Sequence, residues 1–442
     1  MSKKDTFFVC SNCGFETLKW QGKCDSCGAW NSLTEQVKEL TKKAHAQVNA
    51  KKTSSFAELA GKKTQRISTG MGEFDRALGG GLVPASFVLL GGEPGIGKST
   101  LALQLAANLS ANQQTLYISG EESFEQVALR AQRVGFQSEK LEFLAERNLE
   151  VILESIVNAK AKVVVLDSIQ TISSLDLPGV AGSISQVREC TERLLEFAKG
   201  KGITIILIGH VTKDGSLAGP KTMEHLVDTV LYLEGEREGD FRILKSSKNR
   251  FGPVNEVGVF EMREDGLQEV VNSAESFLSK QADLAPGACI TAVCEGSRTF
   301  FVEIQALTTT TNFGYPKRLA SGFSLNRLQL IIAILTRHAG LKLDNKDVYL
   351  KVSGGFKIDD PAADLAVALA ICSASQGKAL DKHSLALGEL ALSGEVRKVR
   401  KLEQRLKEAE RLGYRKLFSV EAKGLSENIR IGQIPDVLKL FS

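Results

Sequence analysis

Short apolar runs recur through the middle of the chain, each stopping at a small or charged residue. They lie near 87–91, 115–119, 163–167, 203–209, 230–234, 241–246 and 257–262. Runs that are apolar at nearly every position predict strands buried on both faces. Between them, apolar residues spaced three or four apart near 98–109, 124–134 and 184–199 predict amphipathic helices. Strands alternating with helices predict an α/β domain with a mostly parallel sheet over 67–275. A second α/β unit is expected over 284–442, with helices near 325–338, 361–375 and 401–412. Residues 31–66, rich in Lys, Ala and Ser, have no sustained apolar period and read as a linker.

Composition narrows the class. At 442 residues, 43% hydrophobic and 24% charged, the chain reads as a globular protein of two or three domains. No apolar stretch reaches the ~18 residues that a membrane span needs. The polar start Met1-Ser2-Lys3-Lys4-Asp5 is unlike a signal peptide, so a cytoplasmic location with no membrane partner is expected. The net charge of +4 is unevenly spread: residues 1–66 hold 12 Lys/Arg against 6 Asp/Glu, and the remainder 44 against 46. The basic excess at the N-terminal end points to nucleic acid, a Lys-rich linker being the alternative.

The first central run leads into Gly92-Glu93-Pro94-Gly95-Ile96-Gly97-Lys98-Ser99-Thr100. This G-x-x-x-x-G-K-S pattern lies between a predicted strand and a predicted helix, the context of a phosphate-binding loop. Glycines at 92, 95 and 97 let backbone N–H groups wrap an anion. Lys98 reaches the β/γ-phosphates, and the Ser99 hydroxyl completes a Mg²⁺ shell. ATP and Mg²⁺ are therefore the expected ligands. Val163-Val164-Val165-Leu166-Asp167 has the form of a central strand that delivers a carboxylate to the Mg²⁺–nucleotide site. The strand at 115–119 ends at Gly120-Glu121-Glu122, where an acid can orient the attacking water. Glu121 is favoured for that role over Glu122, and both could instead cap the helix that begins near Phe124. His210 is a candidate γ-phosphate sensor or a packing histidine. The flexible, basic loop 211–221 is a candidate nucleic-acid contact or a plain surface loop, and 174–182, which has no Lys or Arg, is a second candidate.

Four of the eight cysteines form two knuckles, Cys10-x₂-Cys13 and Cys24-x₂-Cys27. Two C-x-x-C pairs this close present four thiolates tetrahedrally, as a structural Zn²⁺ requires. With four protein ligands the metal has no open position, so residues 1–30 read as a C4 zinc finger without a catalytic role. Gly14 and Gly28 each follow a knuckle, where a tight turn favours positive φ. Cys190, Cys289, Cys294 and Cys372 are scattered and read as packing residues.

Three segments together carry a resemblance. They are the finger followed by Lys19-Trp20-x-Gly22-x-Cys24 and Trp30-Asn31-Ser32, the phosphate loop, and Lys248-Asn249-Arg250-Phe251-Gly252. Over essentially its whole length the chain resembles the bacterial RadA (Sms) DNA repair proteins. The resemblance implies a RecA-like P-loop ATPase core between an N-terminal C4 zinc ribbon and a C-terminal Lon-protease-like α/β domain. It also implies a DNA-dependent ATPase similar to hexameric DnaB-type helicases, driving branch migration of recombination intermediates on single-stranded DNA. A hexameric ring and a RecA-type recombinase partner go with that activity. In such rings a pair like Lys248 and Arg250 reaches the neighbouring subunit's nucleotide and neutralises charge on the transferring phosphoryl group. Contact with DNA phosphates is the alternative role.

The C-terminal segments Val352-Ser353-Gly354-Gly355, Asp359-Asp360-Pro361-Ala362-Ala363-Asp364 and the stretch 388–396 resemble the Lon proteolytic domain. The resemblance places Ala362 where Lon has its serine, and Glu403 where it has its lysine, with Lys398 and Lys401 nearby. A Ser–Lys dyad cannot work without its hydroxyl. The domain is therefore expected to be proteolytically inactive, an assembly and DNA-binding scaffold with Lys342, Lys346, Lys351 and Lys357 as a candidate basic surface. Ala362 argues against an ATP-dependent protease. The intact phosphate loop with Asp167 argues against a non-catalytic DNA-binding scaffold.

Overall fold

The computed structural model describes residues 5–11, 15–38, 65–135, 140–177, 179–210, 223–235, 240–270, 274, 277–278, 284–311, 314–421 and 424–441. Packing divides the chain into two compact units. One runs to Leu233 and also takes in Ser246–Pro253 and Glu264–Gly266; the other comprises Glu234–Lys245, Val254–Arg263 and Leu267–Ser442.

The first unit opens with a small antiparallel sheet of β1 (Asp5–Cys10), β2 (Glu16–Thr17) and β3 (Leu33–Lys38). Its register sets Cys10 opposite Leu33. β3 lies inside the stretch expected to be linker, because pairing along all of β1 supplies the order that its own composition does not.

Next come α1 (Gly72–Ala77), β4 (Phe87–Gly92), α2 (Lys98–Ser110), β5 (Thr115–Ser119) and α3 (Phe124–Val134). They are followed by β6 (Leu141–Ala145), α4 (Leu149–Asn158), β7 (Val163–Asp167), α5 (Ile184–Lys201), β8 (Thr204–His210) and β9 (Thr229–Glu234). The strands lie parallel in the order β9-β4-β8-β7-β5-β6. One face of this sheet carries Leu116, Ile118, Val164, Leu166, Ile205 and Leu207, packed against Leu149, Ile152 and Ile156 of α4 and Val187, Cys190 and Leu194 of α5. α2 packs against β5 and β7. Strands buried on both sides are why β4, β5, β7 and β8 read as unbroken apolar runs.

In the second unit β10 (Phe241–Asn249) and β11 (Val257–Arg263) pair as an antiparallel hairpin from Phe241↔Glu261 to Lys245↔Val257. Ile243, Val257 and Val259 of that hairpin share a core with Phe277, Phe300, Leu328 and Phe356. β12 (Gly266–Glu269), β13 (Ala288–Glu295), β14 (Arg298–Thr310), β15 (Arg318–Ser321), α6 (Leu325–Ala339), β16 (Lys346–Val352) and α7 (Asp364–Gln376) follow. β13, β14, β16 and β15 form one sheet, in that order. α7 is almost wholly buried, from Leu365 through Cys372. Further on, α8 (Leu402–Arg411) is docked by Arg405, whose side chain is fully buried. Among the described residues no helix is long and apolar enough to cross a membrane.

Candidate functional site

The loop between β4 and α2 sits at the C-terminal edge of the parallel sheet, and its glycines are required there. Gly92 has φ +155°, and a Cβ on it would stand 2.6 Å from the carbonyl oxygen of Leu233. Gly97, with φ +113°, leads into α2 in a conformation that side chains rarely adopt. The Lys98 ammonium donates to the carbonyls of Gly92 at 3.0 Å and Glu93 at 2.9 Å. Burial lowers its pKa to about 8, against the raising pull of Asp167, Glu121 and Glu93.

Register brings the acids together. Ser119 on β5 pairs with Asp167 on β7, so Glu121 emerges beside the carboxylate at the end of the next strand. Carboxylate oxygens of Glu121 and Asp167 and a ring nitrogen of His210 lie within 4.8 Å of one another. Glu121 Oε1 accepts from the Ser168 hydroxyl at 2.5 Å and lies 3.2 Å from His210 Nε2. The His210 contact, then Ser168 and the Lys98 charge, hold its pKa at about 2, so it is an ionised acceptor. Glu122 turns the other way and pairs with Arg130 at 2.5 Å.

Asp167 is 3% exposed, and burial raises its pKa against the lowering effect of the Ser99 and Tyr117 hydroxyls. Its Oδ1 has no hydrogen-bond partner among the described residues. A buried carboxylate oxygen without a donor, beside the Ser99 hydroxyl and a phosphate loop, fits a hydrated Mg²⁺.

Lys248 and Arg250 lie elsewhere. Lys248 Nζ donates to the Glu224 and His225 carbonyls at 2.6 and 3.2 Å. Arg250 pairs with Asp228 at 3.2 Å, and Lys199 reaches the same carboxylate oxygen at 3.3 Å. Asp228 Oδ2 accepts from the backbone N–H of Phe87, the first residue of β4. The pair is thus anchored at the N-terminal edge of the sheet, while the phosphate loop lies at the C-terminal edge.

In the ribbon, thiols of Cys10, Cys24 and Cys27 lie within 4.8 Å of one another, and Cys10 Sγ and Cys27 Sγ are 3.7 Å apart. A tetrahedral Zn²⁺ with Zn–S near 2.3 Å has an edge of ~3.8 Å, so these thiols fit the metal. Gly28 has φ +71°, as a knuckle turn needs. Cys13 and Gly14 lie outside the described residues, as do loop 211–221 and the linker from 39 to 64. In loop 174–182, Leu175 and Val180 are exposed, while Gln186 holds the carbonyls of Ser174 and Leu177.

A family model described as AAA domain matches residues 72–216, and one described as rubredoxin metal binding domain matches 8–35. A third, described as subunit ChlI of Mg-chelatase, matches 324–422. The DNA repair protein RadA of Bacillus subtilis is 48% identical over 428 residues, covering 95% of this chain and 93% of that protein. RadA of Listeria monocytogenes is 48% identical over 422 residues, covering 94% and 92%. The chain belongs to the RadA family of DNA repair proteins. Among solved structures, a KaiC-like protein from Pyrococcus horikoshii OT3 is similar at a TM-score of 0.41 and 22% identity, covering 47% of this chain and 100% of that one. As a RadA-family member the chain has the expected fold class: a RecA-like ATPase core, an N-terminal zinc ribbon and a Lon-like C-terminal unit.

Two features of the C-terminal unit bear on the expected absence of a Ser–Lys dyad. Ala362 carries no hydroxyl, and its backbone N–H is capped by Asp360. The Arg405 guanidinium reaches this turn, on Asp360 Oδ2 at 2.6 Å, and Arg327 flanks it on the Asp359 carbonyl and Asp364. Lys398 pairs instead with Glu421, and Lys401 donates to the Gly296 carbonyl. Of the lysines expected to form a basic surface, Lys346 is held by Ser375 at 2.9 Å. Sequence reasoning missed Ser168, Tyr117, Asp228 and Arg405. Position 168 could have been found, because it directly follows Asp167; the other three depend on partners distant in sequence.

Proposed function

We propose that the chain is a DNA-dependent ATPase motor acting as a hexameric ring, with each active site shared between two subunits. One subunit supplies the phosphate loop, with Gly92, Glu93, Pro94, Gly95, Ile96, Gly97, Ser99 and Thr100 around the nucleotide and Lys98 on its β/γ-phosphates. Ser99 and Asp167 would hold Mg²⁺, which neutralises phosphate charge when bound. Glu121 orients the attacking water as an ionised hydrogen-bond acceptor. It is ionised, and it faces Lys98, whereas Glu122 is tied to Arg130. Lys248 and Arg250 act on the nucleotide of the adjoining subunit.

The observation that carries the shared site is the anchoring of Arg250. Asp228 holds it at the Phe87 end of β4, and the loop begins at the Gly92 end. Five residues of strand separate the two by about 17 Å, more than an arginine side chain spans. Single-stranded DNA and branched recombination intermediates are the proposed substrates, with a RecA-type recombinase as partner and the cytoplasm as location. Zn²⁺ on Cys10, Cys13, Cys24 and Cys27 is structural. We assign the segment up to 38 to the zinc ribbon, 39–66 to the linker, 67–233 with 246–253 to the ATPase domain and 284–442 to a proteolytically inactive Lon-like domain. The pairing of β3 with β1 moves the first boundary beyond 30, and the core of the second unit claims the hairpin strands inside 67–275. Ala362 and the Arg405–Asp360 pair favour that inactivity.

The test is ATP hydrolysis with and without single-stranded DNA. DNA should stimulate turnover, and Lys98→Ala should lower it by at least 10²–10³-fold, as losing a charge-stabilising donor does. Glu121→Gln should bind ATP but hydrolyse it poorly. Near-normal turnover in Glu121→Gln would move the acid's role to Glu122, and turnover indifferent to DNA would sink the motor reading.

A further inference from the structure

We infer that Tyr117 is a positioning residue for the metal–nucleotide site, fixing the rotation of the Asp167 carboxylate so that Oδ1 is presented to the cation. The inference rests on the assignment of Asp167 to Mg²⁺ above. Tyr117 pairs with Val165 across β5 and β7, which makes Asp167 its diagonal neighbour on the same face of the sheet. Its phenol donates to Asp167 Oδ2 at 2.9 Å. The ring is 1% exposed and stacks on Phe143, with centroids 6.2 Å apart and planes 16° from parallel.

A carboxylate tied through one oxygen to a donor on an immobile ring cannot swing about its terminal torsion. The other oxygen, Oδ1, has no hydrogen-bond partner among the described residues. Tyr117 therefore sets the ligand geometry before a cation arrives, the task of an outer-shell partner at a metal site. Phe would fill the same space; the hydroxyl's contribution is this one bond.

The experiment titrates Mg²⁺ against the full chain with a fluorescent, non-hydrolysable ATP analogue, reading nucleotide affinity and not turnover. Tyr117→Phe should raise the half-saturating Mg²⁺ about 10-fold, the usual order for losing an outer-shell partner. Affinity without metal should be unchanged. In an Asp167→Ala background, Tyr117→Phe should add nothing. An unchanged Mg²⁺ requirement in Tyr117→Phe, with Asp167→Ala impaired, overturns the role of Tyr117 and spares the metal assignment. An unimpaired Asp167→Ala overturns the assignment itself.

If Tyr117→Phe does not fold, the native side chain can be followed by fluorine NMR after 3-fluorotyrosine is placed at the five tyrosines. The resonance displaced by Asp167→Ala should move with Mg²⁺ and nucleotide together, but not with nucleotide alone. A stationary resonance overturns the proposal.

Discussion

Lys98 illustrates how a single residue is kept ready for a ligand. Its ammonium is satisfied by two loop carbonyls, so nucleotide binding exchanges hydrogen bonds instead of only adding them. Burial holds its pKa at about 8, and a triphosphate beside it must raise that value. Above pH 8 the empty site is partly deprotonated, so binding must take up protons; at pH 7 the lysine is already charged. Calorimetry with magnesium and a non-hydrolysable analogue should therefore show an enthalpy that depends on buffer ionisation near pH 9 and much less at pH 7. Equal proton uptake at both values would mean that Lys98 titrates as an ordinary surface lysine.

Elements differ in how openly the sequence announces them. β4, β5, β7 and β8 are apolar along their length because neighbours cover both faces, and their burial was legible residue by residue. β6 sits at the end of the strand order with a half-exposed side-chain pattern, and its short apolar stretch Phe143-Leu144-Ala145, broken from Leu141 by Glu142, was passed over. α4 was missed as well, although Asn148 caps it and Leu149, Ile152 and Ile156 mark its buried side at helical spacing. The phosphate loop and Asp167 were legible because their chemistry is local. The Tyr117–Asp167 and Arg250–Asp228 contacts were not, because each depends on partners set by strand register or tertiary packing.

α8 depends on one such distant contact. Arg405, 2% exposed, binds Asp360 and the Ala292 and Arg400 carbonyls. Arg405→Ala removes the cation and leaves a partly buried carboxylate unpaired, at a cost of about 3–5 kcal/mol. Urea unfolding of the full chain should show a C-terminal transition shifted by that amount. Adding Asp360→Asn should recover part of the loss, and no recovery would assign the cost to packing.

At the scale of the whole molecule, a shared active site makes a demand that a self-contained one does not. If Arg250 serves a neighbour's nucleotide, Arg250→Ala should bind ATP and lose DNA-stimulated hydrolysis. Mixing it with Lys98→Ala should then restore some activity, since some interfaces combine an intact loop with an intact arginine. Mixed assemblies verified by size that recover nothing would return Lys248 and Arg250 to DNA contact or structure.

The carboxylate that holds Arg250 has a second cation. Lys199 lies 3.3 Å from the oxygen of Asp228 that Arg250 contacts, and the opposite oxygen accepts from Phe87. If Arg250 serves an adjoining subunit, as proposed, Asp228 would not be stranded as a bare buried charge. Lys199 would remain as its ion-pair partner, which lowers the cost of releasing the arginine. On the shared-site reading, the arrangement would serve as a berth with a standing replacement, from which an arginine could leave and to which it could return.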